Sequence, residues 1–118
     1  CQRMRTRAMR IFAEAFEKVD VILTPGPALP APKVPAEAES NGWSDLGVAT
    51  ELMRFVFPAN FTGNPAISFP VGYTPEGLPL SMHAMGRHWQ EHLLLRVAFN
   101  AERLVQRHLP RHHWDLLK

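Results

Sequence analysis

Proline constrains this chain more than any other residue, because five of its eleven prolines fall between residues 25 and 35. Proline fixes φ and lacks an amide hydrogen, so it interrupts helix interiors and central strands. The sequence therefore predicts an extended, polyproline-like loop over residues 25–48. Loops of this length are uncommon within a compact domain and are often functional. The apolar residues of the loop indicate packing on another part of the protein, namely Ala28, Leu29, Ala31, Val34 and Trp43.

Before the loop, the spacing of apolar residues predicts a helix followed by a strand. Apolar side chains recur every three or four residues from Met4 to Val19, which is the pattern of an amphipathic helix. Residues 21–24, with the sequence VILT, form a short β-branched run that Pro25 ends. A short continuous apolar run predicts a buried strand, of the kind common in parallel sheets.

After the loop, the sequence predicts a second helix that starts near Thr50, a residue type that caps helix N-termini. Pro58 is expected to kink or restart this helix. Gly63 is expected to end it in a left-handed conformation. The side chain of Asn60 is expected to bond to the backbone at this helix end.

The second half of the chain contains two strand-like runs and a final helix. Residues 66–71 and 78–84 are joined by the turn-forming sequence TPEG at 74–77, which predicts a β-hairpin. Pro70 places the first of these strands at a sheet edge or at a bulge. The last helix is predicted over residues 90–108.

Length and composition fit one domain and exclude several classes of protein. With 118 residues, 46% hydrophobic residues and a net charge of +2, the chain can bury a core and differs from disordered proteins. No apolar run approaches the roughly 20 residues needed to span a bilayer, so no transmembrane segment is expected. The single cysteine, Cys1, cannot form an internal disulfide bond.

The helical pattern begins with the first residues of the chain, and four of the first ten residues are arginines. Positive charge is unfavourable at a helix N-terminus, and no polar cap precedes the pattern. We therefore expect the helix to begin upstream, so that the chain is a fragment of a longer protein. The alternative is that Met4 is the initiator. No signal-peptide pattern is visible.

The histidines suggest a metal site, but their arrangement does not favour one. His108, His112 and His113 lie with Asp115 in or beside a basic tail at 109–118. Zinc needs three or four ligands held in a fixed geometry, and no cysteine is available in this region. A solvated tail is therefore expected, with no bound metal.

Two further polar patterns also favour structural roles. Ser81 and His83 share one face of a strand at about 7 Å from each other, too far for a nucleophile and its base. The Arg-rich first helix carries Glu14 and Glu17 on its polar face. A solvated face is therefore expected there, and no nucleic-acid partner.

Several separated motifs do indicate a function. Residues 60–72 read NFTGNPAISFPVG, residues 77–80 read GLPL and residues 85–87 read MGR. In this order and spacing they resemble the C-terminal region of the amidase signature family. Residues 20–25, with the sequence DVILTP, resemble a strand of that family that ends in Thr-Pro. The resemblance extends over nearly the whole chain.

Within this family, residues 50–56, with the sequence TELMRFV, most resemble the fatty acid amide hydrolase-like branch. A few positions depart from the family pattern. His83 stands where the family usually has Gln, Ser81 where it often has Gly, and His88 where it frequently has Pro. Pro58 interrupts a helix that usually continues, and this departure could reshape a pocket wall.

The resemblance implies an α/β fold, in which this chain is the C-terminal part of an α/β/α sandwich with a mixed sheet. It also implies hydrolysis of a carboxylic amide bond in a small-molecule substrate, without a cofactor. A cytoplasmic location is likewise expected from the resemblance. The family uses a Ser–cis-Ser–Lys triad with a Gly/Ser-rich oxyanion segment, whereas Lys18, Lys33 and Lys118 all lack that context. No catalytic residue is therefore assigned here, and the chain alone is expected to supply sheet strands and pocket walls without catalysis.

Four residues of the second helix are predicted to bind substrate, namely Met53, Val56, Phe57 and Ala59. They form an apolar stripe beside the proline-rich loop. Methionine and aromatic side chains adapt their shape, so such a stripe suits a flexible acyl ligand. The alternative is that the stripe belongs to the hydrophobic core, as most amphipathic stripes do.

Two other functions stay open at this point. The chain could be a non-catalytic domain that packs or associates, or a basic module that binds anionic partners through residues 3–10. A homodimer is a candidate assembly. Strands built for a larger sheet expose unpaired edges, so the isolated chain is expected to be poorly soluble or only partly folded.

Overall fold

A computed structural model describes residues 1–108 and Trp114, apart from the side chains of Glu39 and Asn41. Within these residues, helices cover both faces of a small sheet. The elements in chain order are α1 (Gln2–Phe16), β1 (Val21–Pro25), α2 (Ala38–Asn41), α3 (Leu46–Met53), α4 (Phe57–Thr62), β2 (Ala66–Tyr73), β3 (Pro79–Gly86) and α5 (Glu91–Glu102).

The sheet has the strand order β1-β3-β2, and both pairs are antiparallel. β3 is therefore the central strand, with Val21 opposite Gly86 at one end of its pairing with β1. The parallel pairing expected for the first strand is wrong within this sheet. The predicted burial is also wrong, since β1 contains no buried residue and Leu23 is 51% exposed. A continuous apolar run carries no information about the direction of the neighbouring strand.

One face of the sheet packs against α1 and α4. Phe16 of α1, Ala59 of α4 and Met85 of β3 form its buried cluster, and each is 4% exposed. Phe12 and Ile22 pack against this cluster. We call this side of the sheet the α1/α4 face.

The opposite face packs against α5. Phe69 of β2, Ala84 of β3 and Leu94 of α5 form its buried cluster. Leu94 lies so close to Gly86 that a Cβ there would be 3.3 Å from the leucine Cγ. The predicted α/β fold class is confirmed, because helices flank both sides of the sheet. We call this side the α5 face.

The helix that follows the proline-rich loop begins earlier than predicted. α3 starts at Leu46, because Asp45 caps it by accepting a 3.0 Å hydrogen bond from the Val48 amide. Thr50 lies inside this helix and its hydroxyl donates to the Leu46 carbonyl. The loop is also interrupted by α2 (Ala38–Asn41). The earlier start of α3 arises because a local side-chain cap can begin a helix next to a proline-rich segment. α2 has no side-chain cap.

The predicted restart at Pro58 and stop at Gly63 are confirmed. Pro58 lies in the first turn of α4, where its missing amide hydrogen removes no helical bond. Gly63 follows the helix with φ of 81°.

The predicted hairpin is also confirmed. Gly77 lies in its turn with φ of 86°, and the register of the two strands shifts between Pro70 and Gly72.

The last helix is shorter than predicted, because α5 ends at Glu102 rather than at residue 108. The apolar pattern continues beyond that point, but Leu104 is 87% exposed and packs on no surface among the residues that the structure describes. Most helical stability in proteins comes from such packing. The basic tail at 109–118 lies outside the described residues except for Trp114, which is exposed.

The N-terminal helix begins as its sequence pattern indicates. α1 follows Cys1 directly, without a side-chain capping bond and without an acidic residue in its first turn. Within the described ranges, none of the helices is both long enough and apolar enough to cross a bilayer.

Candidate functional site

The proline-rich segment folds over the end of the sheet and encloses a cleft of about 700 Å³. We call this the proline cleft. Its lining is mostly apolar and includes Leu23, Leu29, Leu52, Leu80 and Met82. Lining of this kind binds apolar ligand groups by removing their surface from water.

Gly26 fixes the point at which the segment leaves the sheet. Its amide donates a 2.9 Å hydrogen bond to the Ser81 carbonyl, just beyond the last residue of β1. A Cβ at this position would overlap the hydroxyl of Ser81. Glycine therefore allows this close approach between the loop and β3 without displacing the Ser81 hydroxyl.

A second, smaller cavity of about 80 Å³ lies on the α1/α4 face. We call this the His83 cavity. Phe12, Phe55, Pro58 and Arg54 contribute to its wall, and His83 of β3 lines its base. Thr24, near the end of β1, lines both this cavity and the proline cleft.

His83 is the buried titratable group of the site. It is 6% exposed, and its Nδ1 lies 3.5 Å from the Thr24 hydroxyl oxygen. Burial lowers the pKa of His83, because the charged ring would lose its hydration. Among the described residues, the ring makes no side-chain bond except to this hydroxyl. The site therefore holds a neutral imidazole without a carboxylate to orient it as a base.

The four residues predicted to bind substrate do not meet in one cavity. Ala59 is buried in the core cluster with Phe16 and Met85. Phe57 is 54% exposed and stacks on Phe61 at 5.4 Å between ring centroids. It lines a groove of about 370 Å³ between α1 and α4.

The other two lie at the ends of helices. Met53 is the last residue of α3 and is exposed, and Val56 is a half-buried residue at the start of α4. Their sequence neighbours Leu52 and Phe55 line the proline cleft and the His83 cavity. Helical periodicity could not separate these neighbours, because the chain turns between α3 and α4 and changes which side faces the sheet.

Thr24 and His83 were missed as site residues in the sequence. The signal that could have found Thr24 is its position before Pro25, where the strand ends and the loop begins. His83 has no comparable signal, because its partner Thr24 is 59 residues away in sequence.

Asn64 makes the backbone bond that was expected from Asn60. Its side-chain nitrogen donates a 2.8 Å hydrogen bond to the Gly86 carbonyl, and the residue is buried. Asn60 is exposed on α4. The difference follows from Gly63, which ends the helix and turns the next residue inward.

A third opening, of about 710 Å³, lies between α1 and the end of β3. Met9 and Phe16 line it together with the charged residues Arg10, Glu17 and Arg87. Arg87 also contacts Asp20 at 3.7 Å and donates to the Val19 carbonyl. This opening thus combines an apolar floor with a mixed-charge rim.

The described residues bring together no group of three or more His, Cys, Asp or Glu side chains that could hold a metal ion. The tail residues His112, His113 and Asp115 lie outside the described residues, so the predicted solvated tail stays a prediction.

Residues 1–95 match the family described as Amidase. The chain belongs to the amidase family. It is 46% identical over 118 residues to a fatty acid amide hydrolase of Medicago truncatula, covering 98% of this chain and 19% of that protein. It is 47% identical over 104 residues to a fatty acid amide hydrolase of Arabidopsis thaliana, covering 88% of this chain and 17% of the relative.

A solved structure of an amidase relative shares the fold. A chain of the glutamyl-tRNA(Gln) amidotransferase from Thermotoga maritima superposes with a TM-score of 0.68 at 28% identity, over 81% of this chain and 20% of that one. The amidase chain described here therefore spans about a fifth of the length of the relatives it matches.

Proposed function

We propose that these residues are the C-terminal part of an amidase-signature hydrolase that cleaves the amide bond of a small acyl amide. The observation that carries this proposal is the 46–47% identity to two plant proteins named fatty acid amide hydrolase. The apolar lining of the proline cleft supports it, because an alkyl chain loses its contact with water in such a space.

In this proposal the chain shapes the substrate pocket and performs no bond cleavage. The Ser–cis-Ser–Lys triad, which includes the nucleophile, and the oxyanion segment belong to another part of the full-length protein, and no cofactor is required. Met53, Val56 and Phe57 do not line the proline cleft and are proposed to contact the part of the acyl group that extends beyond it. Ala59, buried against Phe16 and Met85, is proposed to hold that wall in place.

The first test compares acyl amides of increasing chain length with glutamine, using the full-length protein. We expect kcat/KM to rise with chain length by at most about fourfold per buried methylene, which corresponds to about 0.8 kcal/mol. Equal rates for short and long amides, or a preference for glutamine, would overturn the assignment to acyl amides.

A matched pair of variants tests the cleft itself. Leu29 lines the proline cleft, whereas Val34 lies on the same segment, is 67% exposed and does not line it. Leu29→Asp places a charge in the cleft and is expected to raise KM for long-chain amides. Val34→Asp is expected to leave KM unchanged, and equal effects would refute the cleft's role.

The absence of catalysis from the chain itself is tested on residues 1–118 alone. We expect this polypeptide to release no amine from any amide that the full-length protein hydrolyses. Hydrolysis by the isolated chain would contradict the proposal that the catalytic groups lie elsewhere.

The assembly and partners of the protein are also proposals. We propose a cytoplasmic protein that forms a homodimer and binds no nucleic acid. In support of the last point, Arg5 and Arg87 already donate to the carbonyls of Phe61 and Val19. Cell fractionation, sedimentation and DNA binding at low salt test these points, and salt-sensitive DNA binding would favour the basic interaction module.

A further inference from the structure

The opening between α1 and β3 lies at the opposite end of the sheet from the proline cleft. The cleft begins where β1 ends at Pro25, and Met82 of β3 belongs to its lining. The opening is lined by Arg87, which follows the other end of β3 at Gly86. We call this space the α1/β3 opening. Its volume of about 710 Å³ lies within the range of about 300–1,000 Å³ that is typical of small-molecule sites.

The floor of the α1/β3 opening is apolar and comes from one side of α1. Met9, Ala13 and Phe16 line it, and they follow the three- and four-residue spacing of a single helix face. Met9 is 37% exposed, so part of this floor is in contact with solvent. An aliphatic chain that covers the floor would remove both apolar surfaces from water.

Two side chains converge above Gly63, which follows α4 in a left-handed conformation. A Cβ on this glycine would lie 3.7 Å from Nη2 of Arg5 and 3.8 Å from Nε2 of His88, so neither nitrogen occupies that point. His88 also lines the α1/β3 opening. Arg5 is held in place because its Nε donates a 3.0 Å hydrogen bond to the Phe61 carbonyl, which uses one of its several N–H donors. Two nitrogen donors thus face the same space beside the opening.

The charges around the α1/β3 opening favour one added anion. Arg87 contacts Asp20 at 3.7 Å, so this pair is neutral as a whole. Arg10 and Glu17 line the rim and add a charge of each sign. Arg5 forms no ion pair with any residue of the described part of the chain. A single negative charge beside Arg5 would therefore balance the rim, and its hydrogen bonds would be charge-assisted.

The backbone is strained directly after His88. Trp89 has φ of 65°, and no other non-glycine residue that the structure describes has a positive φ. This conformation is costly for a bulky residue. Trp89 is 88% exposed, so packing of its side chain does not offset the cost. Strained backbone of this kind is concentrated at ligand sites, which supports a binding role for His88.

We propose that the α1/β3 opening binds a long-chain carboxylate. The carboxylate group accepts hydrogen bonds from Nη2 of Arg5 and Nε2 of His88 above Gly63, and the aliphatic chain lies on the apolar floor of α1. Hydrolysis of an acyl amide by water yields a carboxylate of this kind together with an amine. The identification of the ligand as the reaction product rests on the proposed function, whereas the binding of a long-chain carboxylate does not.

Direct binding to the full-length protein, measured by calorimetry at neutral pH, tests this site. Decanoate is the probe, decanol is the neutral molecule with the same chain length, and hexanoate is an anion with a shorter chain. We expect decanoate to bind at least about tenfold more tightly than either, because charge-assisted bonds and apolar contact both contribute. No binding of decanoate, or equal affinity for decanoate and decanol, overturns the proposal.

Three variants assign the binding to the α1/β3 opening. Arg5→Gln removes the cation and is expected to weaken decanoate binding by about tenfold while decanol binding stays the same. Gly63→Asn keeps a residue that tolerates the left-handed conformation but fills the point where the donors converge, so decanoate binding there is expected to be lost. Arg3→Gln removes an exposed arginine of α1 that does not line the opening and is expected to bind as the unaltered protein does. Equal affinities in Arg5→Gln and Arg3→Gln contradict the site.

Leu29→Asp separates the opening from the proline cleft, whose apolar lining also suits a decanoate chain. We expect decanoate binding at the opening to persist in Leu29→Asp and to disappear when Gly63→Asn is added. If the protein hydrolyses no acyl amide, the proposed function fails and this binding experiment still decides the site. If amides are hydrolysed but Leu29→Asp alone abolishes decanoate binding, the carboxylate occupies only the cleft and the proposal of a second site fails.

Discussion

The two faces of the sheet are packed in different ways. The α5 face buries the apolar side chains Phe69, Ala84 and Leu94 in one cluster. The α1/α4 face buries Thr62, Asn64 and His83 beside its apolar cluster, and a cavity remains there. Dense apolar packing resists change, whereas buried polar groups and cavities are typical of ligand sites. The comparison indicates that the α5 face mainly stabilises the chain, whereas the α1/α4 face combines a smaller apolar cluster with buried polar groups and a cavity.

The largest expected effect is the loss of stability when a buried side chain of the α5 face is shortened. Leu94 is 3% exposed, and Leu94→Ala is expected to destabilise the full-length protein by about 2–5 kcal/mol, because it removes buried methyl groups and leaves a void. Urea unfolding measures this loss. The neighbouring Leu95 is 61% exposed, and Leu95→Ala is expected to change stability by less than about 0.5 kcal/mol. Similar losses for both would show that α5 does not pack as described.

The next effect concerns a buried hydrogen bond on the border of the α1/α4 face. Asn64→Ala leaves the Gly86 carbonyl without its partner and is expected to cost about 1–3 kcal/mol. Asn100 makes a comparable amide-to-carbonyl bond of 2.7 Å but is exposed. Asn100→Ala should therefore cost much less in the same unfolding experiment, and equal costs would contradict the buried role of Asn64.

The next prediction concerns the effect of pH on stability, which depends on the buried His83 of the α1/α4 face. Because the folded pKa of His83 is lowered, its neutral form stabilises the folded protein. This contribution is fully present above the unfolded pKa of about 6.5 and is lost as pH falls from there towards the folded pKa. The melting temperature should therefore fall less on acidification in His83→Gln than in His92→Gln, which removes an exposed histidine of α5. An equal fall in both variants would exclude this contribution.

The smallest expected effect lies at a helix end remote from both core clusters. Asp45 accepts the Val48 amide at the start of α3, and Asp45→Ala is expected to cost about 0.5–1 kcal/mol, because α3 is short and exposed. Asp45→Asn keeps an acceptor and should restore most of this stability. Thermal unfolding distinguishes the two variants, and equal melting temperatures would show that the cap contributes little.

Local signals in the sequence predicted most elements of the fold. Pro58, Gly63 and the turn at 74–77 act through their own backbone geometry, so their effects were predictable without knowledge of the neighbours. The start of α3 at Leu46 was missed because Asp45, a capping residue type that lies five residues before Thr50, was not considered as the cap. The end of α5 was missed because the exposure of Leu104, which is 87% within the described part of the chain, is a tertiary property.

The candidate site was less predictable than the fold. Periodicity indicated an apolar stripe at Met53, Val56, Phe57 and Ala59, but the break between α3 and α4 sends these residues to different surroundings. The His83 cavity depends on a contact between β1 and β3, which are distant in sequence. A single sequence specifies such a pairing only through the complete fold.

The strand order also has a consequence for synthesis on the ribosome. Thr24 and His83 are 59 residues apart, so at about 5–20 residues per second β1 waits about 3–12 s for its central neighbour. Helices form in about a microsecond, whereas an unpaired apolar strand can recruit other nascent chains during that interval. The prolines that begin at Pro25 oppose such recruitment, because each lacks a backbone donor. The segment that shapes the cleft in the mature protein thus also protects the strand before it while the chain is still being made.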